Sequence, residues 1–179
     1  RGKELCREAR DHAKSQKHRT AHLVICTVSY AISHVLTGDP TAALAVLDSE
    51  DVSKSVWDCS PLVRAVALLD LGRVDEGAEL VRSYGQSALR GRLSRMANDA
   101  LVGVAALDIA RGDHAAAWRV LQAAVTPRTP ASIALAEGLA DRIGQGDTLR
   151  ALHRGRETPL SELDASETLR AEFGRLGSG

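Results

Sequence analysis

Apolar residues recur at helical spacing in three stretches of this chain, and one glycine interrupts each stretch. The stretches are Ala31 to Leu47, Ala65 to Val81 and Ala105 to Leu121. Before the glycine, the apolar positions follow a period of about 3.6 residues, which predicts an amphipathic helix. A glycine after such a run is typical of a helix C-terminus, where the backbone takes a positive φ. Each stretch therefore predicts a helix, a short turn and a second helix that runs back.

Small residues flank these glycines at a fixed spacing. Gly38, Gly72 and Gly112 each follow a small residue by seven positions and precede another by five. Small side chains let two helix axes approach to about 8–10 Å, so these positions mark where the paired helices cross. We expect larger residues there to force the helices apart. The small residues pair as Ala31 with Ala43, Ala65 with Gly77, and Ala105 with Ala117.

Aspartates and prolines predict where the helices begin. An Asp side chain accepts hydrogen bonds from the free N–H groups of a first turn, so an Asp shortly after each glycine is expected to cap the second helix. Proline suits the first helical position, and two glycines after Val81 are predicted to interrupt that helix. Together the pattern predicts about nine helices and no strands. The caps are Asp39, Asp75 and Asp113, with further starts at Pro40, Ser60-Pro61, Asp147 and Asp164, interruptions at Gly85 and Gly91, and a leading helix from Leu5 to Lys17.

The units resemble the tetratricopeptide repeat, a 34-residue helix-turn-helix motif. Gly38 and Gly72 are 34 positions apart, whereas Gly72 and Gly112 are 40 apart, and the large aromatics of the repeat are replaced by small aliphatics. The resemblance implies an all-α, right-handed solenoid of antiparallel helix pairs. The predicted solenoid would be one domain over residues 1–179, with a leading cap helix at 1–18, three repeat units at 20–130 and C-terminal helices at 131–179. The matching residues are Ala31, Gly38, Asp39, Ala43 and Leu47; Ala65, Gly72, Asp75, Glu76, Gly77 and Val81; and Ala105, Gly112, Asp113, Ala117, Leu121, Ala124 and Pro127.

Repeats this rich in Ala and Leu are also similar to the helical-repeat regions of actinobacterial LuxR-type and MalT-like transcriptional regulators. That likeness implies a regulatory or sensor module of a cytoplasmic bacterial protein, without a cofactor of its own. Its partner would be a protein, a peptide or an apolar small ligand.

The register of the repeat places an apolar strip on the first helix of each unit, which lines the concave surface of such a solenoid. Two alternatives follow. The strip is covered by the terminal helices of the chain or by neighbouring domains, or it binds an apolar ligand, a partner helix or a second copy. In the second case, Val66→Asp would abolish binding and leave the helices intact. The groove residues are Ile25, Val28, Ile32, Val35, Leu62, Val66, Leu69, Val102 and Ile109, with Cys59, Asp99 and Ala106 between them.

Composition narrows the class of partner. Twenty-three basic and 23 acidic residues give a formal net charge of zero, so the chain lacks a global field that would attract nucleic acid or an anionic membrane. The 28 Ala, 23 Leu and 3% aromatic residues favour helices over sheets. Three cysteines without a C-x-x-C pair are typical of a reduced, cytoplasmic protein, and no apolar run is long enough to span a membrane.

Candidate chemistry is sparse. His18 and His22 share a helix face, but Arg19 stands where a zinc protease needs its glutamate, and an ordinary surface role is favoured over a metal site. No phosphate-binding loop or serine elbow occurs. Two basic groups are interpreted as solvated faces rather than nucleic-acid contacts, because no aromatics lie among them. The prediction is therefore a non-enzymatic binding module, with a homodimerisation scaffold as the alternative and a metal-binding or enzymatic domain third. The basic groups are Arg90, Arg92 and Arg95, and Arg150, Arg154 and Arg156.

Overall fold

The computed structural model describes residues 2–15, 20–49, 59–91, 94–124, 130–155 and 162–177. These ranges contain ten α-helices and no strand, which confirms the all-α class. None of the helices in these ranges is long and apolar enough to cross a membrane. The helices are α1 (Gly2–Ser15), α2 (Thr20–Leu36), α3 (Pro40–Asp48), α4 (Ser60–Asp70), α5 (Val74–Gly91), α6 (Ser94–Ala110), α7 (His114–Ala123), α8 (Pro130–Arg142), α9 (Gly146–Gly155) and α10 (Glu162–Gly177).

Four helix pairs are joined by three-residue turns of the same geometry. The Gly38 N–H donates to the Val35 carbonyl at 3.1 Å, and the Asp39 N–H donates to the His34 carbonyl at 2.9 Å. These two bonds define a Schellman motif, which requires a positive φ at the glycine. The predicted turns after α2, α4 and α6 are confirmed, and the turn between α8 and α9 adds a fourth that the repeat pattern did not identify. The glycines and their φ values are Gly38 (76°), Gly72 (75°), Gly112 (80°) and Gly144 (73°).

The residue after each glycine occupies the cap position of the next helix. The Asp39 carboxylate accepts a hydrogen bond from the Ala42 N–H at 3.2 Å, and the Asp113 carboxylate accepts one from the Ala116 N–H at 2.9 Å, as predicted. The prediction for Asp75 is wrong, because α5 begins at Val74 and Asp75 lies inside its first turn. Asp147 and Asp164 likewise lie inside α9 and α10, whereas the start at Ser60-Pro61 is confirmed.

Gly85 does not interrupt α5, which runs without a break to Gly91. The glycine serves packing instead. A Cβ on Gly85 would overlap the ring of Phe173 in α10 and lie 3.4 Å from the Ala100 Cβ. The missing side chain therefore provides the space in which α10 lies against α5 and α6.

The small residues predicted at the helix crossings are all buried, and a close approach of two helices is visible at Gly77. All five predicted alanines are fully buried. Gly77 is buried too, and a Cβ there would lie 2.7 Å from the Leu69 Cγ and 3.1 Å from the Ala65 carbonyl oxygen. Any larger side chain at the Ala65–Gly77 crossing must therefore move the backbone of α4 or α5.

Helix α6 forms the centre of the molecule. Every residue from Leu101 to Asp108 is buried, so the helix has no solvent-facing side over these two turns. It packs against α4, α5, α7, α8 and α10. A helix that is apolar on all sides is stable only where neighbours surround it completely, and this accounts for its central place.

Candidate functional site

The predicted apolar strip lies inside the protein. Most of the side chains on α2, α4 and α6 that were expected to line a groove are buried. Ile109 is half-buried, and Ile25 is 56% exposed. An open groove along these residues is therefore not present, and this corrects the groove hypothesis. Buried strip residues are Val28, Ile32, Val35, Leu62, Val66, Leu69 and Val102, together with Asp99 and Ala106, and Cys59 is half-buried.

Helix α8 covers much of this strip. It packs against α2 and α6, which carry the two ends of the strip, and its last residue Arg142 bonds to Asp70 at the end of α4. Ser132 of α8 donates a short hydrogen bond to the buried carboxylate of Asp99 in α6. A strip of this size exposed to water is unfavourable, and α8 covers its two ends. The structure thus corresponds to the first of the two alternatives.

Helix α10 packs on another side of α6, and against α5, through a part-buried ion pair. The Arg175 guanidinium donates to the Asp108 carboxylate at 2.6 Å and to Glu172 at 2.6 Å. Burial in α6 raises the pKa of Asp108 above its usual value, although the hydrogen bond from Arg175 opposes this shift. The pair therefore holds α10 against the centre of the fold, and it leaves Asp108 no access to a solvent-borne ligand.

The other candidates from the sequence do not come together as a site. His22 is exposed, His18 lies outside the described residues, and no group of three potential metal ligands occurs in the parts of the chain that the structure describes. Arg90 and Arg154 are exposed, and Arg150 is bound by two aspartates. Arg92, Arg156 and Pro127 lie outside the described ranges, and for Arg95 only the backbone is described.

An open cleft of about 530 Å³ lies where α2, α8 and α9 meet. Its apolar wall contains Leu36, a large apolar side chain that is 42% exposed. Gly138 shapes the floor, since a Cβ there would overlap the end of the Leu36 side chain. Ligand sites commonly fall between 300 and 1,000 Å³, so the volume suits a small molecule. The lining residues are Leu36, Ala134, Glu137, Gly138, Asp141, Arg142 and Arg150.

Arg142 fixes one wall of the cleft. Its two terminal nitrogens donate to the Asp70 carboxylate at 2.5 and 2.9 Å, and Nη2 also donates to the Val35 carbonyl at 3.3 Å. Bidentate arginine–carboxylate pairs are the most directional of the charged hydrogen bonds. One guanidinium therefore ties together the C-terminal ends of α2, α4 and α8.

Arg150 of α9 also lines the cleft. It donates to both oxygens of Asp141 at 2.9 and 3.1 Å and to Asp147 at 3.0 Å. The hydrogen bonds from Arg150 hold the pKa of Asp141 below its usual value. The hydrogen bond to Asp141, and to a smaller extent the one to Asp147, raises the pKa of Arg150. Such exposed pairs contribute about 0–1 kcal/mol each, so Arg150 can exchange a partner at little cost.

Glu137 and Asp141 are one helical turn apart on α8, and both line the cleft. Glu137 Oε1 lies 2.9 Å from Nδ1 of His153 in α9. The other carboxylate oxygen of Glu137 and the remaining lone pairs of Asp141 are available for further donors. The cleft thus presents hydrogen-bond acceptors and cationic donors side by side, next to an apolar wall.

The sequence pattern did not reveal this site. Arg150 alone of the lining residues was singled out, and for a different role. The spacing of Glu137 and Asp141 was readable as a shared helix face, but the bond between Arg142 and Asp70 joins positions 72 residues apart. Only the folded chain brings α2 beside α8 and α9.

No family model, no curated protein and no solved structure matches the chain.

Proposed function

We propose that this chain is a non-catalytic helical-repeat module that binds a small ligand in the cleft between α2, α8 and α9. The observation that supports this most directly is the cleft itself, which combines exposed Leu36 with four charged side chains. The predicted concave strip is not the binding surface in this proposal, because most of its side chains are buried and α8 packs against both of its ends.

The proposed role is the regulatory or sensor part of a bacterial transcription regulator, and this context rests on the resemblance to helical-repeat regulators. A ligand in the cleft would touch the helix pair α8 and α9 together with α2, which is distant from them in sequence. By binding one arrangement of α8 against α2 more tightly than another, it would shift the equilibrium between them. An attached effector domain would respond to that shift.

A thermal-shift panel of amino acids, nucleotides, sugars and short carboxylic acids tests the proposal. We expect at least one class of compound to raise the Tm, because a ligand that binds only the folded state stabilises it by RT ln(1 + [L]/Kd). The blocking variant is Ala134→Phe, which fills the cleft from α8, and the matched control is Ala45→Phe at an exposed position of α3. A shift that disappears in Ala134→Phe and persists in Ala45→Phe supports the cleft. No shift with any class of compound would contradict the proposal.

Self-association through α1 and α2 is the second candidate function. Leu5 in α1 and Ile25 in α2 are 58% and 56% exposed, and these two helices pack against each other. Multi-angle light scattering tests this candidate. A dimer that becomes a monomer in the combined Leu5→Asp, Ile25→Asp variant would support a scaffold, whereas a monomeric wild-type chain would exclude it.

A further inference from the structure

We infer that the cleft between α2, α8 and α9 recognises a zwitterionic α-amino acid with an aliphatic side chain. This inference rests on the proposed function and specifies the chemical class of its ligand. The charged groups that line the cleft cancel in number, with two carboxylates (Glu137 and Asp141) and two guanidiniums (Arg142 and Arg150). A ligand with one positive and one negative group matches this lining better than an anion or a cation does.

The acceptors for an ammonium group lie on α8. Glu137 and Asp141 are four residues apart and therefore share a face of the helix. Asp141 is already paired with Arg150 and Glu137 with His153, so an ammonium group would bind at the carboxylate lone pairs that these partners leave open. Glu137 lines the cleft with a side chain that is 26% exposed, and its Oε1 is engaged by His153, so its second oxygen is the acceptor assigned to the ammonium group.

The donor for a carboxylate group lies on α9. Arg150 is held by Asp141 and by Asp147, and the Asp147 side chain is fully exposed. An incoming α-carboxylate can replace Asp147 on Arg150 at little cost, because the contact that it displaces is screened by water. Arg142 is not assigned this role, since Asp70 and the Val35 carbonyl already engage it.

The two charged contacts are as close together as the ligand requires. Arg150 and Asp141 are in direct contact at 2.9 Å, so their remaining donor and acceptor positions are adjacent. In an α-amino acid the ammonium and carboxylate groups are likewise adjacent, on one carbon. The side chain would then lie along Leu36, Ala134 and Gly138, the uncharged part of the lining.

Isothermal titration with L-leucine tests the inference, with three analogues as chemical controls. Leucinamide lacks the carboxylate, N-acetyl-leucine lacks the ammonium group and glycine lacks the side chain. We expect L-leucine to bind at least tenfold more tightly than each analogue. Equal affinity for L-leucine and N-acetyl-leucine would overturn the inference.

Two variants separate the charged contacts. Arg150→Gln is expected to lower the affinity for L-leucine at least tenfold and to leave the affinity for leucinamide unchanged. Glu137→Gln is expected to lower the affinity for both L-leucine and leucinamide and to leave the affinity for N-acetyl-leucine unchanged. Arg73→Gln is the matched control, because Arg73 makes a similar exposed pair with Glu76 at a different turn. An equal loss in Arg73→Gln and Arg150→Gln would overturn the inference.

The panel described above distinguishes the two levels of failure. If L-leucine does not bind but another compound does, and Ala134→Phe blocks that compound, the inference is wrong and the proposed function stands. If no compound in the panel binds, both are wrong.

Discussion

Val66→Asp is expected to unfold the protein. Val66 is fully buried in α4, within the apolar core of the protein. An aspartate there would lose the apolar contacts of the valine and would place a carboxylate among buried apolar side chains. An uncompensated buried charge costs about 3–5 kcal/mol, a large part of the roughly 5–15 kcal/mol that stabilises a domain. Far-UV circular dichroism with a urea titration measures the loss of helix and the shift of the midpoint.

Ile25→Asp is the matched control for this variant. Ile25 belongs to the same predicted strip, but its side chain is 56% exposed. The free energy of unfolding from the urea titration is expected to change by no more than about 0.5 kcal/mol, as is usual for exposed sites. A Val66→Asp chain that folds with the wild-type midpoint would show that the strip is open in solution, contrary to the structure.

Ala117→Leu is expected to destabilise the protein by about 1–3 kcal/mol through overpacking. Ala117 and Ala105 are fully buried at the crossing of α7 and α6. The larger side chain must push α7 away from α6, which is itself enclosed by five helices. For a chain of this length each kcal/mol corresponds to a fall in Tm of about 2–4 °C, which calorimetry resolves.

Ala115→Leu provides the comparison for Ala117→Leu. Ala115 lies two residues earlier in the same helix and is exposed. Leucine and alanine are both strong helix formers, so the change in Tm is expected to be small. Equal shifts in the two variants would mean that the small residue at the crossing has no special packing role.

The helix ends were largely predictable, because they depend on residues that are close in sequence. Gly38, Gly72 and Gly112 end helices as their positions indicated. The errors at Asp75 and Asp147 have a physical cause. In these three-residue turns the residue after the glycine closes the Schellman motif and also precedes the next helix. Arg73 and Gln145 therefore occupy the cap position, and the aspartates fall inside the first turn.

The candidate site was much less predictable. Glu137, Asp141 and Arg150 belong to one helix pair, and their proximity follows from the turn at Gly144. The sequence pattern missed this turn because it lacks the pair of small residues found at the other three turns. Glu137 lies seven positions before Gly144 and Leu149 five positions after it. Leu36 joins the cleft only because α8 packs against α2, with Gly138 beneath it.

The amino-acid pattern by itself determined the all-α class, the glycine turns and the close helix crossings, because backbone conformation and side-chain size act over a few residues. It determined that α2, α4 and α6 carry an apolar strip, but not what covers the strip. The hydrophobic effect is non-directional, so the same apolar pattern can be buried by a partner or by the chain's own C-terminal helices. The tertiary structure decided this through contacts such as Arg142 with Asp70 and Ser132 with Asp99, which join residues 72 and 33 positions apart. By placing α8 over the strip, it also moved the candidate site to the cleft beside α9.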